Sequence, residues 1–147
     1  MHLTHTPPMQ LTSGTRHHAF TSCALWRDTL YVAYRSAPTH HPFPTGHIVI
    51  RHSTDGTHFD TRCTTTFQLP GLDADLRDPR LLATEEVLYC LVGAYLPAYP
   101  RTTVSTRGSE NTIQSFLTYT DDGTTWAPLQ PIFRPNYWIW SVLPLDN

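Results

Sequence analysis

The chain has 147 residues, of which 39% are hydrophobic and 12% aromatic, so it carries enough apolar material for a buried core and extensive disorder is excluded. Charged residues make up 15% of the chain and the net charge is −2, with the arginines scattered along it. This pattern offers no basic stripe suited to nucleic acid or to an anionic membrane, and we expect neither as a partner.

Residues 1–15 mix His, Thr and Pro without alternating apolar positions, and we expect a flexible N-terminal arm there. The arm lacks a charged start followed by an apolar run, which argues against a secretory signal. No later stretch approaches the ~20 apolar residues that a membrane helix needs. We therefore predict a cytoplasmic location.

The residues after the arm alternate between apolar and polar positions and are rich in aromatic and β-branched side chains, which is typical of strands. No segment requires a helix of more than one turn. The predicted strands are 20–26, 30–34, 47–51 and 59–67 in a first set, 80–83, 87–95, 112–119 and 126–132 in a second, and 137–143 at the start of a third.

Two internal repeats connect these sets. A polar turn centred on Asp-Gly and closed by an aromatic residue occurs at 52–59 and at 119–126, and its glycines lie 67 residues apart (123 − 56). A strand that begins Leu-Tyr at position 30 begins so again at position 88, 58 residues later (88 − 30). Repeats of this period are typical of β-propellers built from four-stranded antiparallel blades. We predict an all-β propeller with blade 1 at about 16–69, blade 2 at about 70–133 and the start of blade 3 at about 134–147.

About two and a quarter blades leave two apolar faces and a strand edge uncovered, because each blade buries its faces against two neighbours. We therefore expect a truncated reading frame, a fragment that lacks its C-terminal half, or one part of a self-associated assembly. The alternative is a small sandwich of about nine strands that closes on itself.

The cysteines and histidines give no metal signature. Cys23, Cys63 and Cys90 lie at unrelated spacings without a C-x-x-C pair, so we expect free thiols buried in the core. The histidine pairs at 17–18 and 40–41 are open to interpretation as proton shuttles, as a metal cluster or as solvated loop residues. Their spacing does not match a ligand set, and we predict no metal and no cofactor.

Five segments, in this order, resemble landmarks of the sialidase-like β-propellers that carry Asp-box repeats, especially a bacterial exo-α-sialidase branch. They are His18-Ala19-Phe20-Thr21, Tyr34-Arg35, Arg51-His52-Ser53-Thr54-Asp55-Gly56, Asp75-Leu76-Arg77-Asp78-Pro79-Arg80-Leu81 and Trp138-Ile139-Trp140. The resemblance covers residues 16–143 and is to the N-terminal half of the family's propeller. It implies a glycoside hydrolase that removes a terminal sugar from a glycan.

The resemblance implies a structural role for the two Asp-Gly turns, which in the family join the third and fourth strands of a blade on the face away from the substrate. The turns depart from the family pattern Ser-x-Asp-x-Gly-x-x-Trp: the first is one residue short and ends in Phe, and Tyr119 stands at the Ser position of the second. Turn chemistry accounts for the carboxylates, the glycines and the closing aromatics. The predicted structural residues are Asp55, Gly56, Phe59, Asp121, Gly123 and Trp126.

In a propeller of this kind, the opposite face gathers the loops that enter each inner strand and those that join the second and third strands. The charged residues in those segments are Arg16, Arg35, Asp73, Asp75, Arg77, Asp78, Arg80, Arg101, Arg107 and Glu110. Sugar hydrolysis needs such a mixture, because a carboxylic acid protonates the leaving oxygen and cations bind an acidic substrate. The alternative is a structural network of ion pairs around residues 75–80.

From these segments we predict Asp78 as the catalytic acid and Arg35, Arg77, His41 and Asp75 as substrate-binding residues. For Arg35 the alternative is an edge arginine that reaches to solvent. Trp138 and Trp140 fall on one side of the predicted strand, where they either stack on a sugar or pack in the core.

The resemblance also marks what the chain lacks. Sialidases combine three arginines that bind the sialic carboxylate, an Asp acid/base, and a Tyr nucleophile with its Glu partner. The later arginines and the Tyr-Glu pair belong to the C-terminal half, and Ser22 stands where the branch usually has Asp. Two alternative functions are a five-bladed glycosidase of the arabinanase or xylosidase type, and a non-catalytic propeller that binds carbohydrate or protein.

Overall fold

The computed structural model describes residues 7–41, 45–60, 64–97 and 111–143, and these residues form β-strands, turns and extended segments without a helix. Eight strands form two four-stranded antiparallel sheets, each in chain order. Sheet 1 contains β1 (His17–Trp26), β2 (Thr29–Ala37), β3 (His47–Ser53) and β4 (Thr64–Phe67), and sheet 2 contains β5 (Asp75–Ala83), β6 (Leu88–Pro97), β7 (Asn111–Thr120) and β8 (Gln130–Ile132). The all-β class and the four-stranded antiparallel units are confirmed, and the two sheets do not close into a ring.

The two sheets repeat the same irregularity in their first strand. In sheet 1 the register shifts between Ala19 and Ser22, and in sheet 2 it shifts between Arg77 and Arg80, 58 residues later (77 − 19). At each shift two residues oppose one on the neighbouring strand, which defines a β-bulge. The bulges place Phe20 and Asp78 in the left-handed region, at φ of 58° and 47°. Asp adopts that conformation far more readily than Phe does.

The main core lies between the two sheets, because β5 packs across β1, β2 and β3. Trp26 is a member of this core, and its indole nitrogen donates a hydrogen bond of 2.9 Å to the carbonyl of Thr84, in the turn that follows β5 of the other sheet. Full burial of one such apolar side chain contributes roughly 1.5–3 kcal/mol to the stability of the fold. The buried members are Trp26, Tyr31, Ala33, Ile48, Ile50, Phe67, Ala74, Leu76, Leu88, Cys90, Val92, Ala94 and Phe116.

A smaller apolar cluster covers the other face of sheet 1. Val32, Tyr34 and Val49 pack there with the partly buried Leu11 and Phe59. Arg51 Nη1 donates a hydrogen bond of 2.7 Å to the carbonyl of Leu11. Residues 7–15 contain no strand, but this contact attaches them to sheet 1.

Several predicted strand boundaries are wrong, including those of β1 and β2. Residues 59–60 and 126–129, predicted to open the fourth strands, lie outside them, and residues 137–143 form an extended segment without strand pairing. The error that matters most for the site is at β5, which begins at Asp75 instead of Arg80. The sequence pattern predicts a polar connection at 75–78. In the structure, Asp75 and Arg77 pair with Tyr95 and Gly93 in the strand ladder, and their side chains form a buried ion pair. One thiol also departs from expectation, because Cys23 is exposed whereas Cys90 is buried; Cys63 lies outside the described residues.

The Asp-Gly turns follow β3 and β7 and have the structural role that turn chemistry predicts. Asp55 Oδ1 accepts hydrogen bonds from the backbone amides of Thr57 and His58, both at 2.8 Å, and from the Ser53 hydroxyl. Gly56 and Gly123 have φ of 71° and 80°. The His58 amide, assisted by the other donors, holds the pKa of Asp55 well below its usual range.

In the second turn Asp122, not the predicted Asp121, accepts the equivalent hydrogen bonds. Asp122 Oδ1 lies 2.7 Å from the amides of Thr124 and Thr125, and 3.0 Å from the Thr120 hydroxyl. The amide of Thr125 is the main cause of the lowered pKa of Asp122. The position relative to the strand end explains the choice. The carboxylate that accepts these hydrogen bonds stands two residues after the last strand residue, which is Ser53 for Asp55 and Thr120 for Asp122. Phe59 closes the first turn against the smaller cluster, and Trp126 closes the second against Phe67, with ring centroids 5.6 Å apart.

Candidate functional site

An open groove of about 510 Å³ lies where the bulge of β5 meets the end of β6 and the extended segment 136–143. We call that segment the strap. The volume falls within the range of small-molecule sites, and the walls combine aromatic and charged side chains. The residues that line the groove are Phe20, His40, Arg77, Asp78, Arg80, Tyr95, Ile113, Trp138 and Trp140.

A fully buried ion pair lies behind the groove and joins the two sheets. Arg35 Nη2 and Nε lie 2.7 Å and 2.9 Å from Asp75 Oδ1, and neither side chain is exposed to solvent. Arg35 Nη1 donates to the carbonyl of Thr39 at 2.9 Å, and Nη2 donates also to the carbonyl of His41 at 3.1 Å. Gly46 makes room for the pair, since a Cβ there would lie 2.1 Å from Asp75 Oδ1.

This geometry does not favour the predicted substrate-binding role of Arg35 and Asp75, which stays a prediction. Both side chains are 0% exposed, and their polar atoms are committed to one another and to the loop carbonyls. A ligand would have to break a buried, charge-assisted network to reach them. The structural alternative given for residues 75–80, an ion-pair network, fits Asp75. Arg35 is its buried partner and does not reach to solvent.

Arg77 extends that network to the wall of the groove. Its Nε donates to Asp75 Oδ2 at 2.5 Å, and its Nη2 donates to the carbonyl of His40 at 2.6 Å. The guanidinium lies between two aromatic rings, 5.6 Å from the centroid of Phe20 and 5.3 Å from that of Tyr95. Such cation–π contacts hold a planar guanidinium in one orientation. Among the described residues, Nη1 has no hydrogen-bond partner, and the side chain is 10% exposed.

Asp78 follows at the bulge and is the one carboxylate among the residues that line the groove. It is 8% exposed, and burial raises the pKa of its carboxyl above the ordinary value, although Arg80 and Arg77 oppose the rise. The Trp138 indole N–H also lies near enough to oppose it, but Nε1 reaches no hydrogen-bond partner of normal geometry in the described structure. A carboxylic acid with a raised pKa beside cations is suited to donating a proton.

The strap forms the outer wall of the groove. Ser115 on β7 holds it at two points, since the hydroxyl donates to the carbonyl of Tyr137 at 3.2 Å and accepts from the amide of Ile139 at 3.1 Å. The Trp138 ring lies directly on Gly93 of β6, where a Cβ would stand 2.3 Å from the ring. Arg80 Nε donates to the carbonyl of Trp140 at 3.2 Å and so links the strap to β5.

The histidines take different places from those predicted. The side chain of His41 is exposed and outside the groove wall, and only its carbonyl participates, as an acceptor for Arg35. His40 lines the groove instead, with its ring 5.7 Å from Phe20 and 5.1 Å from His17. Burial, followed by nearby Arg16, lowers the pKa of His18 and His47. The described part of the chain contains no group of three or more His, Cys, Asp or Glu arranged to hold a metal ion.

The structure therefore brings together two of the predicted site residues, Arg77 and Asp78, and sets Arg35, Asp75 and His41 apart from the groove. Arg101, Arg107 and Glu110 lie outside the described residues. Sequence reasoning missed Phe20 and Tyr95, whose rings enclose Arg77. The repeat offset offered a signal for Phe20, because 58 residues separate it from Asp78 (78 − 20) and both occupy the bulge.

Comparison with known proteins places the fold but not the activity. No protein-family model matches the chain, and no curated protein matches it. The crystal structure of a protein of unknown function from Dyadobacter fermentans DSM 18053 is similar, with a TM-score of 0.62 and 18% sequence identity. The match covers 84% of this chain and 38% of that one, so the chain spans well under half the length of its structural neighbour. In the residues that the structure describes, no helix is long and apolar enough to cross a membrane.

Proposed function

We propose that this chain is part of a sialidase-like β-propeller that binds a glycan in the groove, with Asp78 as the general acid for hydrolysis of a terminal sugar. The observation that carries the proposal is the Asp78 carboxyl: it is nearly buried, its pKa is raised, and it lines an open groove next to two arginines. Burial favours the protonated form of a carboxyl, which is the direction of pKa shift that a general acid needs.

The composition of the groove supports a sugar as the ligand. Sugars present hydroxyls that need hydrogen-bond partners and C–H faces that stack on aromatic rings. Arg77 Nη1 and the Asp78 carboxyl supply the first kind of contact, and Tyr95, Trp138 and Trp140 supply the second. A purely apolar ligand would cover Arg77 Nη1 and the Asp78 carboxyl without offering either a hydrogen-bond partner, which is costly in a partly buried site.

The propeller remains part of this proposal. Two four-stranded antiparallel sheets packed face to face are the arrangement of neighbouring blades, and the chain spans 38% of a longer structural neighbour. Under this proposal the nucleophile comes from outside the described residues, because Asp78 is the one carboxylate among the lining residues and the Tyr95 ring is packed against Arg77 and Trp138.

One observation favours a second candidate, non-catalytic carbohydrate binding. Glycosidases pair two carboxylates or an equivalent nucleophile with the acid, and the described groove contributes one carboxylate. Arg35, the expected carboxylate ligand, is committed to Asp75. A site of this kind binds a sugar without cleaving it.

The experiment is turnover of fluorogenic α-sialoside, α-arabinoside and β-xyloside by the wild-type chain and by Asp78→Asn. Asparagine tolerates left-handed backbone, so the variant keeps the bulge at φ 47° and removes only the acid. Asp28→Asn is the matched control, since Asp28 also has a left-handed backbone, at φ 60°, but lies in the exposed turn that follows β1. We expect loss of 10²-fold or more in kcat for Asp78→Asn and none for the control.

Four outcomes are informative. Turnover of the sialoside that Asp78→Asn abolishes supports the sialidase-like enzyme, and turnover of the arabinoside or xyloside alone supports the five-bladed type. Turnover that Asp78→Asn leaves unchanged removes Asp78 from the mechanism. Sugar binding by nuclear magnetic resonance without turnover of any substrate supports the non-catalytic candidate.

A further inference from the structure

Three aromatic rings form a continuous row that leads from the charged end of the groove to solvent. The Tyr95 and Trp138 ring centroids are 5.3 Å apart, and those of Trp138 and Trp140 are 5.8 Å apart. The inner end of the row is Tyr95, whose ring contacts the Arg77 guanidinium. The outer end is Trp140, which is 65% exposed. We call Tyr95, Trp138 and Trp140 the aromatic row.

The aromatic row is held rigidly despite its exposed end. Ser115 fixes the backbone on both sides of Trp138, and Asn136 N donates to the carbonyl of Ile113 at 2.7 Å. Arg80 Nε holds the carbonyl of Trp140. Gly93 lets the Trp138 ring lie flat against β6. Holding an indole in place before a ligand arrives reduces the entropy that binding would otherwise lose.

We infer that the groove takes an oligosaccharide of at least two sugars, with one sugar at Arg77 and Asp78 and a further sugar stacked on Trp140. This inference rests on the proposed function and names the substrate class of the same site. Each step along the aromatic row is comparable with the length of one pyranose ring. An exposed indole next to a polar pocket has the form of a platform on which a sugar ring stacks.

The polar groups distinguish this occupant from an apolar peptide. Ile113 is the one aliphatic residue among those lining the groove, and Arg77, Asp78 and Arg80 share the same walls. An apolar peptide side chain would offer no partner to Arg77 Nη1 or to the Asp78 carboxyl, whereas sugar hydroxyls both donate to Asp78 and accept from Arg77. The volume of about 510 Å³ also suits a chain of a few sugars better than one ring.

Gly93 acts as a positioning residue for the aromatic row. A methyl group at position 93 would overlap three atoms of the Trp138 ring, at 2.3 Å to 2.6 Å. Trp138 would then tilt away from β6 and carry Trp140 with it. Gly93→Ala therefore disturbs the row without removing a side chain that contacts the sugar.

The test is isothermal titration of the chain with N-acetylneuraminic acid and 3′-sialyllactose, and in parallel with arabinose and arabinotriose. The variants are Trp140→Ala, Gly93→Ala and the control Phe133→Ala, which removes an aromatic ring that is 64% exposed and outside the groove. We expect Trp140→Ala to weaken the longer ligand roughly three- to tenfold and to leave the monosaccharide unchanged, as loss of one stacking contact predicts. Phe133→Ala should change neither.

Gly93→Ala should weaken the longer ligand as Trp140→Ala does and shift the tryptophan emission, which the Phe133→Ala control should leave in place. If the monosaccharide binds but Trp140→Ala leaves the longer ligand unchanged, the aromatic row is not a sugar platform, although the proposed function stands. If the wild-type chain binds none of the four sugars, the proposed function and this inference both fail.

Discussion

Sheets 1 and 2 share the same backbone features, but they carry very different residues at one equivalent position. Both carry a bulge in the first strand, a left-handed residue at it, and an Asx turn after the third strand. In sheet 1 Arg35 pairs with Ile48 across β2 and β3, and the same ladder position in sheet 2 is Gly93 opposite Ser115. A long cation thus stands where its repeat has no side chain.

Each of these positions contacts the chain segment that follows its own sheet. Arg35 holds Asp75, the first residue of β5, and Gly93 with Ser115 holds the strap after β8. In sheet 1 the attachment is an ion pair with 0% exposure, which closes the space completely. In sheet 2 it is an indole on a bare backbone, which leaves an open groove beside it.

One repeat position therefore either holds two sheets together, as Arg35 does, or leaves an open groove beside it, as Gly93 does. The repeated fold accommodates both arrangements because backbone geometry fixes the bulge and the turn. The residues that occupy the space beside them are set by a few side chains. The four predictions below test this, beginning with the ion pair.

We expect the largest loss of stability from Arg35→Met, which removes the buried ion pair between the two sheets. Methionine leaves the Asp75 carboxylate buried with Arg77 as its remaining ion partner, and removing one member of a buried pair costs about 3–5 kcal/mol. The measurement is the free energy of unfolding from urea titration. Arg16→Met is the matched control, because Arg16 is exposed and hydrogen-bonds mainly to Ser36, and it should cost less than about 1 kcal/mol. Equal costs for the two variants would show that sheet 1 is not locked by this pair.

The next effect compares the two close approaches directly, through Gly46→Ala and Gly93→Ala. Overpacking a filled site costs about 1–3 kcal/mol, and the cost depends on whether the neighbour can move. At Gly46 the neighbours are Asp75 and Arg35, which are held by several hydrogen bonds, so we expect a value near the top of that range. At Gly93 the neighbour is the Trp138 ring on a partly exposed strap, and we expect the lower value. Urea titration of both variants measures the difference, and the reverse order would contradict it.

The strands and turns could be predicted from the sequence because they depend on residues that are close together in the chain. The turn chemistry of Asp-Gly and the alternation of 30–34 and 88–92 appear in neighbouring residues, so the strand sets and the structural role of Asp55 could be predicted. The choice between Asp121 and Asp122 failed because it depends on the strand end at Thr120, and strand ends are the least certain part of such predictions.

The side-chain contacts at the candidate site could not be predicted, because they join residues that are far apart in the sequence. Arg35 resembled a free cation in the sequence, yet its partner Asp75 lies 40 positions later. Asp75 and Arg77 resembled loop residues because charged residues in a strand are exceptional unless they are paired. Asp78 and Arg77, which line the groove, were predicted as site residues because the resemblance implied that their segment lies on the substrate face.

A smaller effect tests the turn register, through Asp122→Ala and Asp121→Ala. Asp122→Ala should lower Tm, because it leaves the amides of Thr124 and Thr125 without their acceptor, whereas Asp121→Ala removes no hydrogen bond of the turn. The folded state lowers the pKa of Asp122, so its ionic contribution is present above the unfolded value of about 3.9 and is lost as pH falls below it. The Tm difference from wild type should therefore shrink between about pH 5 and pH 2. An equal loss in Asp121→Ala would restore the predicted register.

The smallest effect has the opposite sign and compares the two bulge residues, since sheet 1 has Phe20 where sheet 2 has Asp78. Burial raises the pKa of Asp78 in the folded chain despite its neighbouring arginines, so the folded state binds the proton more tightly than the unfolded state does. Its contribution to stability is then present below the unfolded value of about 3.9 and is lost as pH rises through the folded value. Asp78→Asn should accordingly be slightly more stable than wild type at pH 7, and the gain should disappear near pH 3. Asp28→Asn, the exposed control with the same backbone handedness, should show little gain at either pH. Thermal unfolding across this pH range measures both. A gain at Asp78 would show that the bulge of sheet 2 retains a carboxylate at the expense of stability, as functional sites commonly do, whereas a loss at pH 7 would assign Asp78 to the structural network with Asp75.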